Sequence, residues 1–391
     1  MSGIDTLIKT NKTAFYTFDT GELKKRVGYL RAHLPEGVSL CYAVKANTFI
    51  IKELIGSVDC FEICSPGEAE ICRELGVPAE QMVISGVYKS AETVEALAAD
   101  PVFSGTVTAE SPEHYRLIRE FSAKYNRRLN VLLRLTNDSQ FGMDSSDIEA
   151  IIAEKAEGIN IRGIQFFSGT QKTSLKKLRR EIDKLDAFLL HLRDDLGYTA
   201  ECLEYGTGFP VSYFRDDEFD EEEYLAGFSE ILSGMSFKTR ITLELGRSIA
   251  ASCGKYYTHI VDIKHSRGQN YALIDGGMHQ LVYFGQHMAM KHPIMSVIGR
   301  GDIIEDKYWQ ICGALCSMND ILVKQICLPD ISIGDTLCFE NTGAYCMTEG
   351  ISLFLSRDIP AVYLLTEDGE AVCVREKYET AMLNTPKYER K

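Results

Sequence analysis

Lys45 is the residue of this chain whose type and position are most suggestive of chemistry. It directly follows the apolar run SLCYAV at 39–44 and precedes the small residue Ala46. Partial desolvation at such a position would lower the pKa of the lysine and favour the neutral amine, which can form an imine with an aldehyde. The alternative is a solvated loop lysine without a chemical role.

Two further segments could bind an anion or hold a charge. The turn Gly206-Thr207-Gly208 follows the run ECLEY, and its backbone N–H groups could close on a phosphate, although a plain tight turn has the same composition. Glu244 lies three residues before Arg247, so these two side chains could equally form a structural ion pair.

All these residues come directly after short, apolar, β-branched runs, which are typical of buried strands. Eight such runs occur, at 39–44, 58–63, 82–86, 104–110, 130–135, 161–167, 201–205 and 240–245. Segments with helical spacing separate them, and the clearest is 174–196, where Ser174 can cap the start and Gly197 can end the helix. Other helices are expected near 22–34, 66–75, 90–99, 111–125, 145–156 and 220–233.

Eight strands alternating with helices predict an α/β fold, a closed parallel (β/α)8 TIM barrel. A doubly wound open sheet is the alternative. Loops at the carboxyl ends of the strands form the active site of such a barrel. Residues expected around that opening are Lys45, Glu62, Ser65, Arg134, Phe167, Ser168, Gly169, Thr170, Gly206, Thr207, Gly208, Glu244, Gly246 and Arg247.

The pattern changes after about residue 250, where strand-like runs with turns replace helical spacing. It predicts a second, mainly antiparallel β domain. We therefore expect the barrel at 20–248. The β domain should comprise residues 249–391 together with residues 1–19, which include the strand-like run TAFYTFD. The other runs assigned to this domain are YYTHIVDIKHS, NYALIDGG, KQICLPD, GDTLCFE and AVCVREKY.

The composition restricts the kinds of binding partner and the cellular compartment that we expect for this protein. The 391 residues carry a net charge of −14, which disfavours nucleic acid because phosphate binding needs clustered lysine and arginine. No window approaches the roughly 20 apolar residues of a membrane span, and the N-terminus lacks the apolar core of a signal peptide. The 12 cysteines are too sparse for a disulfide scaffold, so we expect thiols in a cytoplasmic protein.

Seven short segments, taken in order, resemble those of one enzyme family. They are YAVKAN at 42–47, FEICSPGE at 61–68, GIQFFSGT at 163–170, YGTG at 205–208, ELGR at 244–247, CGALCSMND at 312–320 and GAY at 343–345. Their order is similar to that of the fold-type III pyridoxal-phosphate decarboxylases. This is the diaminopimelate and ornithine decarboxylase family, which is distantly related to alanine racemase.

The resemblance implies a cofactor, a set of ligands and an assembly. Lys45 would hold pyridoxal 5'-phosphate, and Glu244 would pair with its pyridine nitrogen. The other residues implied in cofactor binding are Glu62, Arg134, Phe167, Thr170, Gly206, Thr207, Gly208, Gly246, Arg247 and Tyr345. The protein would be a head-to-tail homodimer with shared active sites, in which Cys316 and Asp320 of one chain reach the Lys45 cofactor of the other.

Cys316 is the residue that the resemblance implies as the acid that returns a proton to Cα. A small buried apolar residue is the alternative. Cys312 and Cys316 could also suggest a metal pair, but no second pair with suitable spacing follows, so no metal is expected.

Departures from the family pattern fall mainly where the substrate should bind. Phe167 replaces a histidine that stacks on the cofactor, and Leu245 replaces a proline. Ser317 replaces an acidic residue for the distal amine, and Tyr283 or Phe284 lies about where an arginine would hold the distal carboxylate. The residues expected to contact substrate are Ser317, Asp320, Tyr283 and His287.

These departures lead to the hypothesis of a larger, less charged substrate than free diaminopimelate. It would be an amino acid conjugated to another acid or carried on a carrier protein, although the acidic surface suits a basic partner better than an acidic one. Ornithine and lysine are not supported either. Two other functions stay open, an amino acid racemase on the same scaffold and a non-catalytic, cofactor-binding regulatory protein.

Overall fold

The computed structural model describes residues 3–300 and 307–387 and divides the chain into two compact units. The barrel unit comprises Val27–Pro210 and Phe219–Ile249. The β unit comprises the residues up to Arg26, Val211–Glu218 and the residues from Ala250 onward. Val211–Glu218 thus groups with the β unit, although the sequence predicted an uninterrupted barrel over this range.

Eight parallel strands close the barrel, because the first of them pairs with the last. The chain reaches them through α1 (Gly3–Thr10), β1 (Phe15–Asp19) and α2 (Thr20–His33). The barrel strands are β2 (Ser39–Ala43), β3 (Cys60–Ile63), β4 (Met82–Ile84), β5 (Thr106–Ala109), β6 (Leu129–Arg134), β7 (Ile159–Phe167), β8 (Cys202–Gly206) and β9 (Arg240–Leu245). The predicted TIM barrel is confirmed, and an open doubly wound sheet is excluded.

The helices between these strands begin and end where local chemistry dictates. They are α3 (Ile51–Leu54), α4 (Pro66–Glu74), α5 (Ala91–Ala99), α6 (Pro112–Lys124), α7 (Ser145–Glu154), α8 (Leu175–Asp194), α9 (Glu221–Ser233) and α10 (Arg247–Ala250). In α8 the Ser174 hydroxyl accepts the N–H of Lys177, as predicted from its position. Gly197 follows in the left-handed region with φ +66°, which a side chain would disfavour.

A layer of four small or medium side chains fills the barrel below its carboxyl-terminal opening. Cys41, Val83, Leu132 and Cys202 pack together, one from each of the alternate strands β2, β4, β6 and β8. Such layers make the interior of a (β/α)8 barrel a packed core. The apolar layer supports the polar side chains that lie nearer the strand ends.

The β unit contains a nine-stranded sheet that includes β1. The other strands of this sheet are β10 (Gly254–Ser266), β11 (Gln269–Ile274), β12 (Met295–Val297), β13 (Lys307–Cys312), β14 (Ile321–Leu328), β15 (Thr336–Phe339), β16 (Ala361–Leu365) and β17 (Ala371–Arg375). The β unit also contains the short helix α11 (Ala381–Asn384). The main path runs β14-β13-β11-β10-β1-β16-β17, and β15 pairs with β10 and β12. Within the described part of this sheet, only the pairs β1–β16 and β11–β13 are parallel, so the mainly antiparallel domain is confirmed.

Three strands of this sheet, β12, β13 and β16, were not predicted from the sequence. β12 has three residues, too few for a periodic pattern.

Within residues 3–300 and 307–387, no helix combines the length and the apolar character needed to cross a bilayer.

Candidate active site

Lys45 lies between two buried carboxyl groups at the barrel opening. Its Nζ donates to Glu62 Oε2 at 2.7 Å and to Glu244 Oε1 at 3.3 Å. The lysine side chain is 37% exposed, whereas both glutamate side chains are 5% exposed. β2, β3 and β9 therefore bring together three residues that are far apart in the sequence, and they leave the amine accessible from outside.

The two carboxyl groups differ in their affinity for a proton. Burial raises the pKa of Glu62, but the Lys45 ammonium group and its hydrogen bonds outweigh burial, so this pKa is lowered. Burial, followed by the charge of Glu62, raises the pKa of Glu244 to about 7. Glu62 therefore stays ionised near neutrality, while Glu244 is balanced between carboxylic acid and carboxylate and can respond to a bound cation.

Residues that the sequence did not single out surround Glu244 inside the barrel. The Gln165 amide donates to Glu244 Oε2 at 3.2 Å. Glu204 is also buried, and its pKa lies well above the ordinary value because of burial and the neighbouring charge of Glu244. The period of two along β7 places Gln165 on the same face as Phe167, a signal that could have identified it.

A second ion pair lies at the end of β6. Arg134 Nη1 donates to Glu110 Oε1 at 2.6 Å, and its guanidinium group lies 5.2 Å from the Phe141 ring centroid. Lys89 is buried nearby and donates to Gly86 O at 2.5 Å, and burial lowers its pKa to about 8. Neither Glu110 nor Lys89 was predicted from the sequence among the residues of the opening, although both lie at or just beyond strand ends.

The glycine turn after β8 is sterically required. Gly206 pairs with Phe167 on one side and with Glu244 on the other, so all three residues are adjacent at the strand ends. A Cβ on Gly206 would overlap the Phe167 ring, and a Cβ on Gly208, where φ is +60°, would overlap Gly169 O. The backbone can approach this closely only without side chains.

Arg247 and Thr170 lie together near this turn. Arg247 Nε donates to Thr170 Oγ1 at 3.3 Å, and Arg247 is buried at the start of α10, directly after Gly246. Thr207 is fully buried and its hydroxyl accepts the N–H of Phe209 at 3.3 Å. A guanidinium group, a hydroxyl and a glycine turn form the composition expected of a phosphate site.

A polar cluster that sequence reasoning missed supports the same turn. The Lys172 ammonium group contacts Ser168 Oγ and Glu181 Oε2, both at 2.9 Å. The Tyr205 hydroxyl donates to the same Glu181 oxygen at 2.6 Å, and the Lys172 backbone N–H donates to Gly208 O at 2.9 Å. Glu181 lies on α8, so no local pattern indicated it.

Cys316 and Ser317 lie in the β unit, on the loop between β13 and β14. Cys316 is exposed, whereas Cys312 is partly buried, accepts from Gln310 and has a raised pKa because of burial. Ser317 shapes the turn, since its hydroxyl accepts the N–H of Asn319 at 3.3 Å. Cys316 is therefore the more accessible thiol of this pair.

Asp320 was expected to contact substrate, and the structure places its side chain inside the β unit. Asp320 is only 2% exposed. Its Oδ1 accepts the N–H of Met278 and its Oδ2 accepts the N–H of Leu315, both at 2.7 Å. The carboxylate therefore stabilises the fold of the β unit, where both oxygens already have partners.

Tyr283, which was also expected to contact substrate, is 5% exposed and packs against Tyr213 and Phe214. Its hydroxyl donates to Glu340 O at 2.6 Å, so the polar end already has a partner inside the β unit. His287, by contrast, is exposed. Tyr345, also in the β unit, has φ +65°, a strained conformation for an aromatic residue.

Comparisons with known proteins agree with this geometry. A family model described as "Pyridoxal-dependent decarboxylase, pyridoxal binding domain" matches residues 20–251. The chain is 25% identical, over 402 aligned residues, to the L-glutamyl-[BtrI acyl-carrier protein] decarboxylase of Niallia circulans, with 96% of this chain and 93% of the relative covered. It is also 25% identical to the diaminopimelate decarboxylase of Aquifex aeolicus, with 95% of this chain and 90% of the relative covered.

A solved structure has the same fold. The diaminopimelate decarboxylase of M. jannaschii in complex with L-lysine superposes with a TM-score of 0.86 at 21% identity, and the match covers 99% of this chain and 94% of that one. The family model spans all eight barrel strands and more than half of the chain. The chain therefore belongs to the pyridoxal-dependent decarboxylases of fold-type III, with pyridoxal 5'-phosphate as cofactor.

Proposed function

We propose that this enzyme removes the α-carboxylate of an amino acid whose side chain is conjugated to a second group. Pyridoxal phosphate, when bound, supplies the electron sink that decarboxylation needs. The residues of the chain would bind the cofactor, orient the substrate and handle protons. The proposal includes their roles and the sharing of each active site between two subunits.

The barrel opening fits the cofactor in three respects. Lys45 supplies the amine, and its position between Glu62 and Glu244 fixes Nζ in one place. Glu244, with a pKa raised to about 7, suits a partner that carries a positive charge, such as a protonated pyridine nitrogen. Phe167 supplies an aromatic face beside Gly206 but no ionisable group.

The phosphate would bind at the other end of the site. Arg247 and Thr170 are already joined by a hydrogen bond, and Gly206–Gly208 leaves room for close backbone approach. We assign Thr207 and Gly246 to the same site because they adjoin these residues in the chain. Tyr345 stays a predicted phosphate ligand on the strength of the resemblance.

Glu62 and Arg134 would act near the cofactor without bonding to it covalently. Glu62 stays ionised and holds the Lys45 ammonium group at 2.7 Å. Arg134 is neutralised by Glu110 at 2.6 Å, so its charge is fixed rather than available to attract the substrate carboxylate. A carboxylate that leaves as CO2 should not be stabilised by a nearby cation, and this arrangement meets that requirement.

Cys316 is our candidate for the acid that returns a proton to Cα. Its exposure on a loop leaves the thiol open to a second molecule. In the proposed homodimer, Cys316 of one subunit would act at Lys45 of the other. Each active site would then need residues from two chains.

One structural observation carries the substrate proposal. Two residues expected at the distal end of the substrate are Asp320 and Tyr283. Their side-chain oxygens form hydrogen bonds with backbone groups of the β unit. Asp320 is buried with both oxygens hydrogen-bonded and the Tyr283 phenol is neutral, which disfavours an ion pair of either residue with the distal groups of diaminopimelate. The similarity to a decarboxylase named for a carrier-bound glutamyl group supports a conjugated substrate.

The test is CO2 release from a panel of free and side-chain-conjugated amino acids by the cofactor-loaded enzyme. Free diaminopimelate, ornithine, lysine and glutamate are compared with γ-glutamyl amides and thioesters at equal concentration. We expect kcat/KM to be at least tenfold higher for a conjugate. Faster turnover of free diaminopimelate than of every conjugate would contradict the proposal. Exchange of Cα–H in heavy water without CO2 release would instead indicate a racemase.

A further inference from the structure

The β unit contains an apolar cavity next to the loop that carries Cys316. Its volume is about 460 Å³, and Met318 and Asn319 line it from that loop. Tyr283 and Met288 line it from the segment where substrate contacts were expected. We infer that this cavity holds the conjugated part of the substrate, as an unbranched chain without positive charge. This inference rests on the proposed function.

The walls of the cavity exclude the usual distal group of a basic amino acid. Gln286, Asn319 and Lys324 are the polar residues in its lining, and among the described residues no aspartate or glutamate lines it. An ammonium group placed there would lose its hydration without gaining a carboxylate partner. Free lysine, ornithine and diaminopimelate all carry such a group.

Lys324 gives the cavity a preference in charge. It lies on β14, it is exposed, and it is the one lysine or arginine of the lining residues. Gln286 is occupied elsewhere, since its Nε2 donates to Lys291 O at 3.0 Å and its Oε1 accepts the N–H of Lys291 at 3.2 Å. A chain that ends in a carboxylate or phosphate therefore complements this cavity better than a neutral chain does.

The backbone of one wall is held in a strained conformation. Met288 and Ala289 are consecutive non-glycine residues with φ of +48° and +56°. The N–H of Lys324 donates to Ala289 O at 3.0 Å and holds this turn against β14. Such strain persists only where the surroundings fix it, and it is enriched at ligand sites.

The side chains at the opening of the cavity are flexible, whereas the backbone of this wall is fixed. Met288 is 75% exposed and Met318 is 93% exposed, and the flexible thioether side chain can pack against chains of different shape. Exposed apolar residues grouped at a cavity indicate a binding site more often than isolated ones do.

The chemistry of the reaction fixes where the conjugated group is attached. The α-amine and the α-carboxylate must both be free, so the chain can be joined only through the amino acid side chain. At about 30 Å³ for each non-hydrogen atom, the cavity of about 460 Å³ holds roughly 15 such atoms. The similar decarboxylase of Niallia circulans is named for a glutamyl group, so we take the substrate as an acidic amino acid. Its distal carboxyl would form an amide or thioester with a chain of about that length ending in an anion.

A series of γ-glutamyl N-alkylamides, from methyl to hexyl, tests the inference by CO2 release from the cofactor-loaded enzyme. Each added methylene should raise kcat/KM about threefold, because burial of one methylene supplies close to that factor. A terminal carboxylate should raise kcat/KM further, and Lys324→Glu should abolish that preference while Lys324→Arg retains it. Lys12→Glu, the same charge change outside the lining, should leave it intact. The γ-glutamyl thioester of phosphopantetheine distinguishes a carrier-type chain from a simple acyl amide.

Calorimetry separates this inference from the proposed function. The decarboxylation products, 4-aminobutyramides with methyl to hexyl chains, are titrated into the loaded wild-type enzyme. Affinity should rise, and the heat-capacity change should become more negative, with chain length. Conjugates that release CO2 with no dependence on chain length in either measurement would overturn the cavity assignment and leave the proposed function standing. Chain-length-dependent binding without CO2 from any compound would support the cavity and overturn the proposed function.

Discussion

The Nζ atom of Lys45 lies 2.7 Å from Glu62 Oε2 and 3.3 Å from Glu244 Oε1. The first contact is an ion pair with a carboxylate that stays charged, and the second is a contact with a carboxyl whose pKa is about 7. The unequal pair fixes the amine while leaving one carboxyl able to gain or lose a proton.

Replacing Glu62 should impair the reaction more than it impairs folding. Glu62→Gln keeps the size of the side chain but removes the charge that holds the Lys45 ammonium group. We expect kcat to fall by about 10²-fold, comparable with the loss of a positioned proton-handling group. Glu62→Asp, which retains the charge on a shorter side chain, should fall between this variant and wild type. Wild-type kcat in Glu62→Gln would contradict the role, and the exposed Glu113→Gln is the control.

Glu244 should make the cofactor-free protein less stable as the pH rises. Its folded-state pKa is raised from 4.5 to about 7, so the folded state binds the proton more tightly than the unfolded state. The stabilisation is complete below pH 4.5 and is lost as the pH rises through 7, by on the order of 3 kcal/mol. Urea unfolding of wild type and Glu244→Gln at several pH values measures this. Parallel pH profiles for the two proteins would contradict the assignment.

Two glycines with similar φ allow the effect of backbone strain on stability to be distinguished from an effect on cofactor binding. Gly208→Ala adds a Cβ that overlaps Gly169 O at φ +60°, whereas Gly197→Ala adds one at φ +66° with open space around it. Both should lose about 1 kcal/mol of stability from the left-handed conformation, and Gly208→Ala should lose more because of the overlap. Only Gly208→Ala should weaken pyridoxal phosphate binding, by about tenfold or more, because it also moves the proposed phosphate turn. Equal cofactor affinity in the two variants, measured by equilibrium titration, would argue against that turn as the phosphate site.

The closed barrel and the residues at its strand ends were predictable because both depend on local sequence. Each barrel strand is a short apolar run, and position at a strand end brought Lys45, Glu62 and Glu244 to one opening. The partners of these residues were less accessible. Glu181 stabilises the glycine turn from a helix, and its contribution depends on helix packing rather than on any nearby motif.

Burial in the β unit was harder to predict, because the direction of a side chain there depends on long-range strand pairing. Tyr283 and Asp320 were assigned to substrate because of their positions in motifs. Their burial follows from contacts with Glu340, Met278 and Leu315, and no periodic pattern encodes these contacts. β12 was not predicted for a different reason, because its three residues are too few for a periodic pattern.

Complementation between two inactive variants tests whether the active site is shared. Lys45→Ala and Cys316→Ala should each be inactive or nearly so. If each site takes Lys45 from one chain and Cys316 from the other, co-expression should restore about a quarter of wild-type activity, since half of randomly mixed dimers contain one intact site of two. A mixture that stays inactive although mixed dimers form would contradict the shared site. Cys312→Ala, a partly buried thiol of the same segment, is the matched control and should retain activity.

The most direct test of the central claim is borohydride reduction of the cofactor-loaded enzyme, followed by peptide mapping. The barrel unit offers two further lysines as internal competitors. They are the buried Lys89, whose pKa is lowered to about 8, and the partly buried Lys172, whose pKa is also lowered by burial. We expect a pyridoxyl group on Lys45 alone. A label on Lys89 or Lys172, or no stable label at all, would contradict this expectation.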